Sequence, residues 1–481
     1  MLLNELFENA PEIIIDDIMA DSRQKKDNSI FFCLKGLSVD GHKFYKQAIE
    51  NGAIAIIYQD EIDTDFENVV FIRVKDIAAG YASCINKFCG YPSKKLNMFA
   101  CTGTNGKSTI STLLRQLYPD NKCGYIGTIS IEYGNVKIPP LLTTPSVYDL
   151  QYFLKKMVEE NMSACALEVS SIGLDQGRVD GVDFDYAIFT NFTHDHLDYH
   201  GSMEEYFLAK KKLFDNLKVD ACAITNIDDD KGLEIVKDTL AKVVTYGIEN
   251  DADYLAKDIK LYPNKSEFTL VYKNSEYRIE TNLVAIFNIY NLLAVIACLH
   301  EYGLEINEII PQLSSLKQVE GRMEIIESEF NYNIVVDFAH TPDGLEKVFK
   351  YAATITPKNK RIILVMGSAG KRDIKKRVIF GELADKYCDM VILTEDDPRD
   401  EEIADIASQI AEGLKNTNHI LIEDRYFAIL EALDIANPQD TILILGKGDE
   451  TFMYREFSRE PYIGDHNAVR EILKKKSEKV I

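Results

Sequence analysis

The stretch Gly103-Thr104-Asn105-Gly106-Lys107-Ser108-Thr109 combines glycine, lysine and hydroxyl residues at a spacing suited to phosphate. Two glycines let backbone N–H groups crowd round an anion. A helix start adds partial positive charge, Lys107 adds a full one, and Ser108 offers an oxygen to Mg²⁺. An apolar run, Leu96 to Ala100, precedes the loop, and a helix-like segment, Thr109 to Leu117, follows it. Position 101 is cysteine, so the loop is a shortened Gly-x-x-Gly-Lys-Ser form of the usual nucleotide cradle. It points to a nucleoside triphosphate.

A second cluster, Thr193-His194-Asp195-His196-Leu197-Asp198-Tyr199-His200, follows the apolar run Ala187 to Thr190. Loops leaving the carboxyl ends of buried strands are where α/β folds place ligands. Three histidines and two aspartates there suit metal or phosphate, although such residues also serve as ordinary satisfied polar groups. Ser202 and Glu205 then form an S-x-x-E helix start, and Met203, Tyr206, Phe207, Lys210, Leu213 and Phe214 fall on one helical face. A lysine buried in that stripe would lose its proton and could take up CO₂ as a carbamate. A lysine that snorkels to water would do neither, and periodicity leaves both open. Glu168, at the end of the apolar run Ala164 to Leu167, suits Mg²⁺ on a triphosphate.

These groups need a scaffold of strands and helices. Apolar runs at 96–101, 164–169, 186–190 and 221–225 alternate with helical patterns, and so do runs at 333–337, 361–366, 390–394 and 441–445. Both sets predict mostly parallel sheets covered on two faces. Shorter runs, Ile30 to Leu34, Ala53 to Tyr58 and Val69 to Val74, predict a small α/β unit before a turn-rich linker, Gly90 to Lys95. The expectation is an α/β chain of three domains. Residues 1–93 form a small N-terminal unit, 94–320 a central phosphate-loop unit, and 321–481 a Rossmann-like C-terminal unit.

A net charge of −23 over 481 residues argues against nucleic acid or an anionic membrane as the main partner. The nine cysteines contain no C-x-x-C pair and suggest neither a zinc site nor a disulfide framework. The N-terminus shows no basic region or cleavage signal, and no apolar run reaches membrane-spanning length. A cytoplasmic protein without membrane insertion is expected.

Taken together these motifs resemble the Mur ligase family, which forms amide bonds in bacterial cell-wall peptides. The resemblance covers nearly the whole chain. It rests on Asp21-Ser22-Arg23, Gly103 to Thr109, Thr143-Thr144-Pro145, Glu168 to Ser171, Asp195 to Asp198, Asn288 with Asn291, Gly321-Arg322, Asp337 to Asp343, Gly370 to Asp373 and Gly446-Lys447-Gly448. It departs from the family at Ile172, Ala285 and Asp449, where histidine, glycine and histidine are usual. The resemblance implies that Gly103, Thr104, Asn105, Gly106, Lys107, Ser108 and Thr109 hold ATP phosphates. Asn288 and Asn291 would hold the base, with Arg322 and Asp337 reaching over from the third domain. It implies one Mg²⁺ on Ser108 and Glu168 and a second served by His196 and a carbamylated Lys210, with Lys107, His196 and Lys210 as the catalytic groups. Ser22, Thr143, Thr144, Ser170, Gln176 and Arg178 would hold a UDP-N-acetylmuramoyl dipeptide. The enzyme would be a monomer.

By the same resemblance, Arg372, Asp396, Asp397, Pro398, Arg399, Gly446 and Glu450 would select a free amino acid. The reaction would extend UDP-N-acetylmuramoyl-L-alanyl-D-glutamate through an acyl phosphate. Asp397 and Asp449 replace an amide and an imidazole, and two added carboxylates should repel a substrate carboxylate and attract a lone ammonium. The expected amino acid is therefore L-lysine, with meso-diaminopimelate as the alternative. Rivals on the same scaffold are a folylpolyglutamate synthase or a non-catalytic partner subunit.

Overall fold

The computed structural model describes residues 1–36 and 39–480. Its three large sheets follow the three runs of apolar segments, and Phe452–Tyr454 with Arg459–Pro461 forms a fourth of two strands. In the first unit, strands Asp17–Met19, Ser29–Phe32, Ala53–Tyr58 and Val70–Arg73 pair in parallel in that order. Helix Ile77–Phe88 packs on them, capped by Asp76, whose carboxylate accepts from the N–H groups of Ala78 and Ala79.

The central sheet is built around Asn97–Thr102, flanked in parallel by Ala164–Glu168 and Tyr186–Phe189. These strands are apolar throughout because helices cover both faces. Lys107–Leu117 and Ile286–Tyr302 lie in one layer of core, while Val147–Glu159 and Met203–Asp215 line the other. The parallel strand Cys222–Asn226 continues the sheet. The chain also adds strands that no long apolar run announces. Lys242–Gly247 and Tyr254–Leu261 continue one edge in parallel and Ser266–Tyr272 and Ser275–Thr281 extend it antiparallel, while Ile131–Tyr133 with Val136–Ile138 extends the other. Ser266–Tyr272 buries every second residue over most of its length, so one face meets the core and the other meets water.

The third sheet places Asn333–Asp337, Thr441–Leu445, Ile362–Met366, Met390–Leu393 and Asn418–Leu421 in parallel, with Glu324–Ile326 antiparallel at its edge. Asp337 and Met366 both pair with Leu445, so the loops after these strands share one rim. The unit is joined to the second through core as well as surface. Val284 and Ala285, which open helix Ile286–Tyr302, pack among Met323, Val335, Leu345 and Val348. All nine cysteines are free thiols. Among the described residues, no helix is long and apolar enough to cross a membrane.

Candidate active site

Three adjacent parallel strands deliver the site. Cys101 stands opposite Glu168 and Thr102 opposite Phe189, so the phosphate loop, the Glu168 carboxylate and the Asn191–His196 loop leave the sheet side by side. The loop glycines are dictated by geometry. Gly103 has φ +146° and Gly106 has φ +94°. A Cβ on Gly106 would lie 2.7 Å from Asn291 Oδ1, and one on Gly103 would overlap Thr190. The neighbouring loop is sewn to this turn. Asn105 N donates to Asn191 Oδ1 at 2.9 Å, and Thr190 Oγ1 donates to Asn105 O at 2.6 Å.

Glu168 is 0 % exposed, and four donors surround its carboxylate. Ser108 Oγ donates at 3.0 Å, Tyr125 OH at 2.5 Å, Thr128 N at 3.0 Å and Thr128 Oγ1 at 3.1 Å. The carboxylate and the Ser108 and Thr128 hydroxyls put hard oxygen atoms beside the phosphate loop, which fits Mg²⁺. Tyr125 and Thr128 did not emerge from the sequence reading, since each meets Glu168 across some forty residues of chain.

Lys210 is 1 % exposed and donates to Gly103 O at 2.8 Å, which rules out the snorkelling arrangement. Burial, and after it the repulsion of Lys107, holds its amine well below the ordinary lysine range. The neighbouring Lys211 is also buried, but it is paired with Asp215 and Asp238 at 2.5 and 2.6 Å. Lys107 Nζ donates to the carbonyls of Gly103 and Thr104, each at 2.9 Å. His196 is half-buried, with Nε2 3.5 Å from Asp195 Oδ2. Burial, with added repulsion from Lys107 and Lys210, pushes its imidazole down to about 4, so the ring is neutral near pH 7.

A cavity of about 560 Å³ runs from the phosphate loop to the third unit. Thr104 to Thr109, Thr143, Glu168, Ser170, His196, Lys210, Asn288, Asn291, Arg322, Asp337 and Glu450 border it. Asn288 and Asn291 sit on the first turns of helix Ile286–Tyr302, where Asn291 Nδ2 donates to Asn288 Oδ1 at 2.9 Å. Asp337 accepts from Met323 N and Ala339 N at 2.7 and 2.8 Å, and burial pushes its carboxyl up. Arg322 lies over the Phe338 ring.

The remaining expected residues lie outside that cavity's wall. Thr144 Oγ1 donates to Glu168 O, and Arg178 donates to Thr144 O and Gln176 Oε1, so Thr144, Ser170, Gln176 and Arg178 form one polar cluster behind Glu168. Ser22 belongs to the first unit and donates to Gln47 at 2.8 Å. Arg372 pairs with Asp198 of the second unit at 2.9 Å. Gly446, at φ +117°, lets Asp396 approach where a Cβ would collide with it.

The charge balance expected at Asp397 and Asp449 is overturned. Asp397 Oδ1 pairs with the fully buried Lys447 at 2.8 Å, and Lys447 also reaches Glu450 at 2.5 Å. Asp449 Oδ1 pairs with Arg322 at 2.7 Å. Asp400 is taken by Lys371 at 3.3 Å. Neither added carboxylate is a free negative charge, while the Arg399 guanidinium has no acidic partner among the described residues and donates to Gly370 O. Lys447, central to this balance, was visible in sequence only as part of a glycine-flanked motif.

Sequence comparison bears on the whole arrangement. Family models match in three consecutive segments: the Mur ligase family catalytic domain over residues 15–86, the Mur ligase middle domain over 101–299, and the Mur ligase glutamate ligase domain over 321–448. A UDP-N-acetylmuramoyl-L-alanyl-D-glutamate–2,6-diaminopimelate ligase of Clostridium botulinum is 36% identical over 474 residues, 97% of this chain and 96% of that one. The chain belongs to the Mur ligase family. The Bacillus cereus ligase of the same name is 40% identical over 91% of this chain and 90% of its own. Among solved structures, another ligase of that name superposes with a TM-score of 0.70 at 28% identity, covering 99% of both chains. A Thermotoga maritima MurF ligase in complex with ADP shares the fold, with a TM-score of 0.64 at 20% identity and coverage of 98% of this chain and all of that one. As a Mur ligase, the protein is an ATP-dependent ligase of peptidoglycan synthesis.

Proposed function

We propose that this Mur ligase adds meso-diaminopimelate to UDP-N-acetylmuramoyl-L-alanyl-D-glutamate, with residues 1–93, 94–320 and 321–481 serving sugar nucleotide, ATP and amino acid respectively. The observation that carries the choice of amino acid is the charge balance round Arg399. Lys447 and Arg322 neutralise the two carboxylates that would have favoured a lone ammonium, and the Arg399 guanidinium keeps its charge for a distal carboxylate. The relatives' names agree with this reading rather than with L-lysine.

In the mechanism we infer, the terminal carboxylate of the dipeptide attacks the γ-phosphorus of ATP. Backbone N–H groups of residues 103–109 and the Lys107 ammonium orient the triphosphate. Ser108 and Glu168 would hold one Mg²⁺, and His196 with a carbamate formed on Lys210 a second, supplying charge that offsets the crowding of anions. A neutral Lys210 amine is the form that reacts with CO₂. Arg322 and Asp337, from the third unit, and Asn288 and Asn291, from the second, border the rest of the nucleotide's cavity. The amine then displaces phosphate from the acyl phosphate, while the third unit covers the cavity and keeps water from the intermediate.

Side-by-side kinetics with meso-diaminopimelate, L-lysine and L-ornithine test this. A charged hydrogen bond worth about 1.5–3 kcal/mol predicts roughly 10- to 150-fold higher kcat/KM for meso-diaminopimelate. Equal or better use of L-lysine would refute the assignment.

A further inference from the structure

His340 lies in the loop between strand Asn333–Asp337 and helix Pro342–Ile355 and borders the same cavity as His196 and Lys210. Its ring has a defined tautomer. Nδ1 stands 2.9 Å from Phe338 O, a carbonyl that can only accept, so Nδ1 carries the proton. Nε2 is therefore a bare lone pair, and among the described residues nothing donates to it. The ring also packs edge-on to Phe338 at 4.7 Å between centroids, which limits its rotation. Below it the backbone is anchored by Lys376 Nζ, which donates to His340 O at 3.0 Å. The charged and titratable groups acting on the ring are Asp195 and His196 of the second unit and Lys376 and Asp396 of the third. His340 thus stands between the loop that serves the activated carboxylate and the segment that serves the amino acid.

The reaction proposed above has an unassigned proton to move. An amino acid arrives as an ammonium, which has no lone pair to attack with. We propose that His340 Nε2 is the base that takes the first proton from this ammonium, freeing the nitrogen lone pair that then attacks the acyl phosphate carbon. The C–N bond forms and the carbon–oxygen bond to phosphate breaks, with its electron pair leaving on phosphate. The second proton departs with phosphate as hydrogen phosphate. The amide keeps one hydrogen, and the imidazolium releases its proton to solvent when products leave.

The inference rests on the ligase reading, and one experiment separates the two. Hydroxylamine is uncharged at neutral pH and attacks acyl phosphates without a base, giving a hydroxamate. Wild-type protein with ATP, magnesium and the UDP-sugar dipeptide should form hydroxamate with hydroxylamine and amide with the amino acid. His340→Asn keeps an N–H for Phe338 O but removes the Nε2 lone pair. It should retain hydroxamate formation within about twofold and lose amide formation on the order of 10²–10⁴-fold. His340→Gln, which returns a polar group near the Nε2 position but no base, should behave the same way. If either variant loses both products equally, or if both make amide at near wild-type rate, His340 is not the base. If wild-type protein makes neither hydroxamate nor amide, the proposed function falls and this proposal falls with it; amide without hydroxamate leaves that function standing and overturns this proposal alone.

Discussion

The Lys210 amine tests the residue scale most sharply, because its burial has no purpose in folding alone. A lysine head at 1 % exposure with one carbonyl partner is costly to charge, and burial drives its pKa well below the ordinary lysine range. Lys210→Ala should lower kcat on the order of 10²–10³-fold, the usual cost of losing one preorganised electrostatic group, and added bicarbonate should not restore it. Turnover near wild type would contradict the role given to Lys210. Spacing alone placed Lys107 on a glycine turn, Glu168 at a strand end and Lys210 on a helical stripe, but it left open whether Lys210 is buried or snorkels. The partners that decide their chemistry were not legible. Tyr125 and Thr128 reach Glu168 from another strand and its loop. Lys447 and Arg322 silence Asp397 and Asp449 from 50 and 127 residues away in sequence. Charge counted along the chain cannot show which acids are already paired.

Among the elements, helix Ile286–Tyr302 carries a built-in strain. Its N-cap, Ala285, adopts φ +72° and ψ 151°, a region that only glycine occupies freely. The sequence marks this position as a departure from the family's glycine, and the backbone shows the consequence. Ala285→Gly should stabilise the protein by about 1 kcal/mol, the relief exceeding glycine's own entropic cost. Urea titration would measure it, and a destabilised variant would show that the alanine methyl contributes more through packing. A second element-scale device is Asp385, whose carboxylate accepts from the N–H groups of Lys415, Asn416 and Thr417 at 3.0, 2.7 and 2.8 Å. The bonds from Asn416 and Thr417 lower its pKa from 3.8 to about 2. A carboxyl depressed on folding contributes stability above its unfolded pKa and loses it as pH falls through the folded one. Asp385→Ala should therefore melt below wild type at pH 7, and the gap should close between pH 4 and 2. A gap independent of pH would contradict this. Apolar strands such as Ile362–Met366 were legible because both faces are buried. Tyr254–Leu261 was not, because its half-exposed sequence, with two lysines and an aspartate, reads as loop.

For the whole molecule, the cavity exists because the third unit leans on the second. Asn105 Nδ2 donates to Asp343 at 3.0 Å, and Arg372 pairs with Asp198 at 2.9 Å. The exposed Arg372–Asp198 pair is worth up to about 1 kcal/mol and the part-buried Asn105–Asp343 hydrogen bond about 0.5–1.5 kcal/mol, enough to bias an arrangement and weak enough to be reversed. The double variant Asp198→Ala/Asp343→Ala should show a larger radius of gyration by small-angle X-ray scattering. An unchanged radius would place the hold in the Val284–Ala285 packing instead. The three-unit order was legible because each unit repeats strand–helix alternation, whereas the contacts between units rest on single side chains far apart in sequence. In the proposed mechanism one cavity joins a carboxylate to the γ-phosphorus of ATP before an amine arrives. The most direct measurement uses dipeptide substrate labelled with oxygen-18 in its reacting carboxylate, with the released phosphate read by ³¹P NMR. An acyl phosphate predicts one labelled oxygen in each phosphate released; phosphate free of label would contradict it.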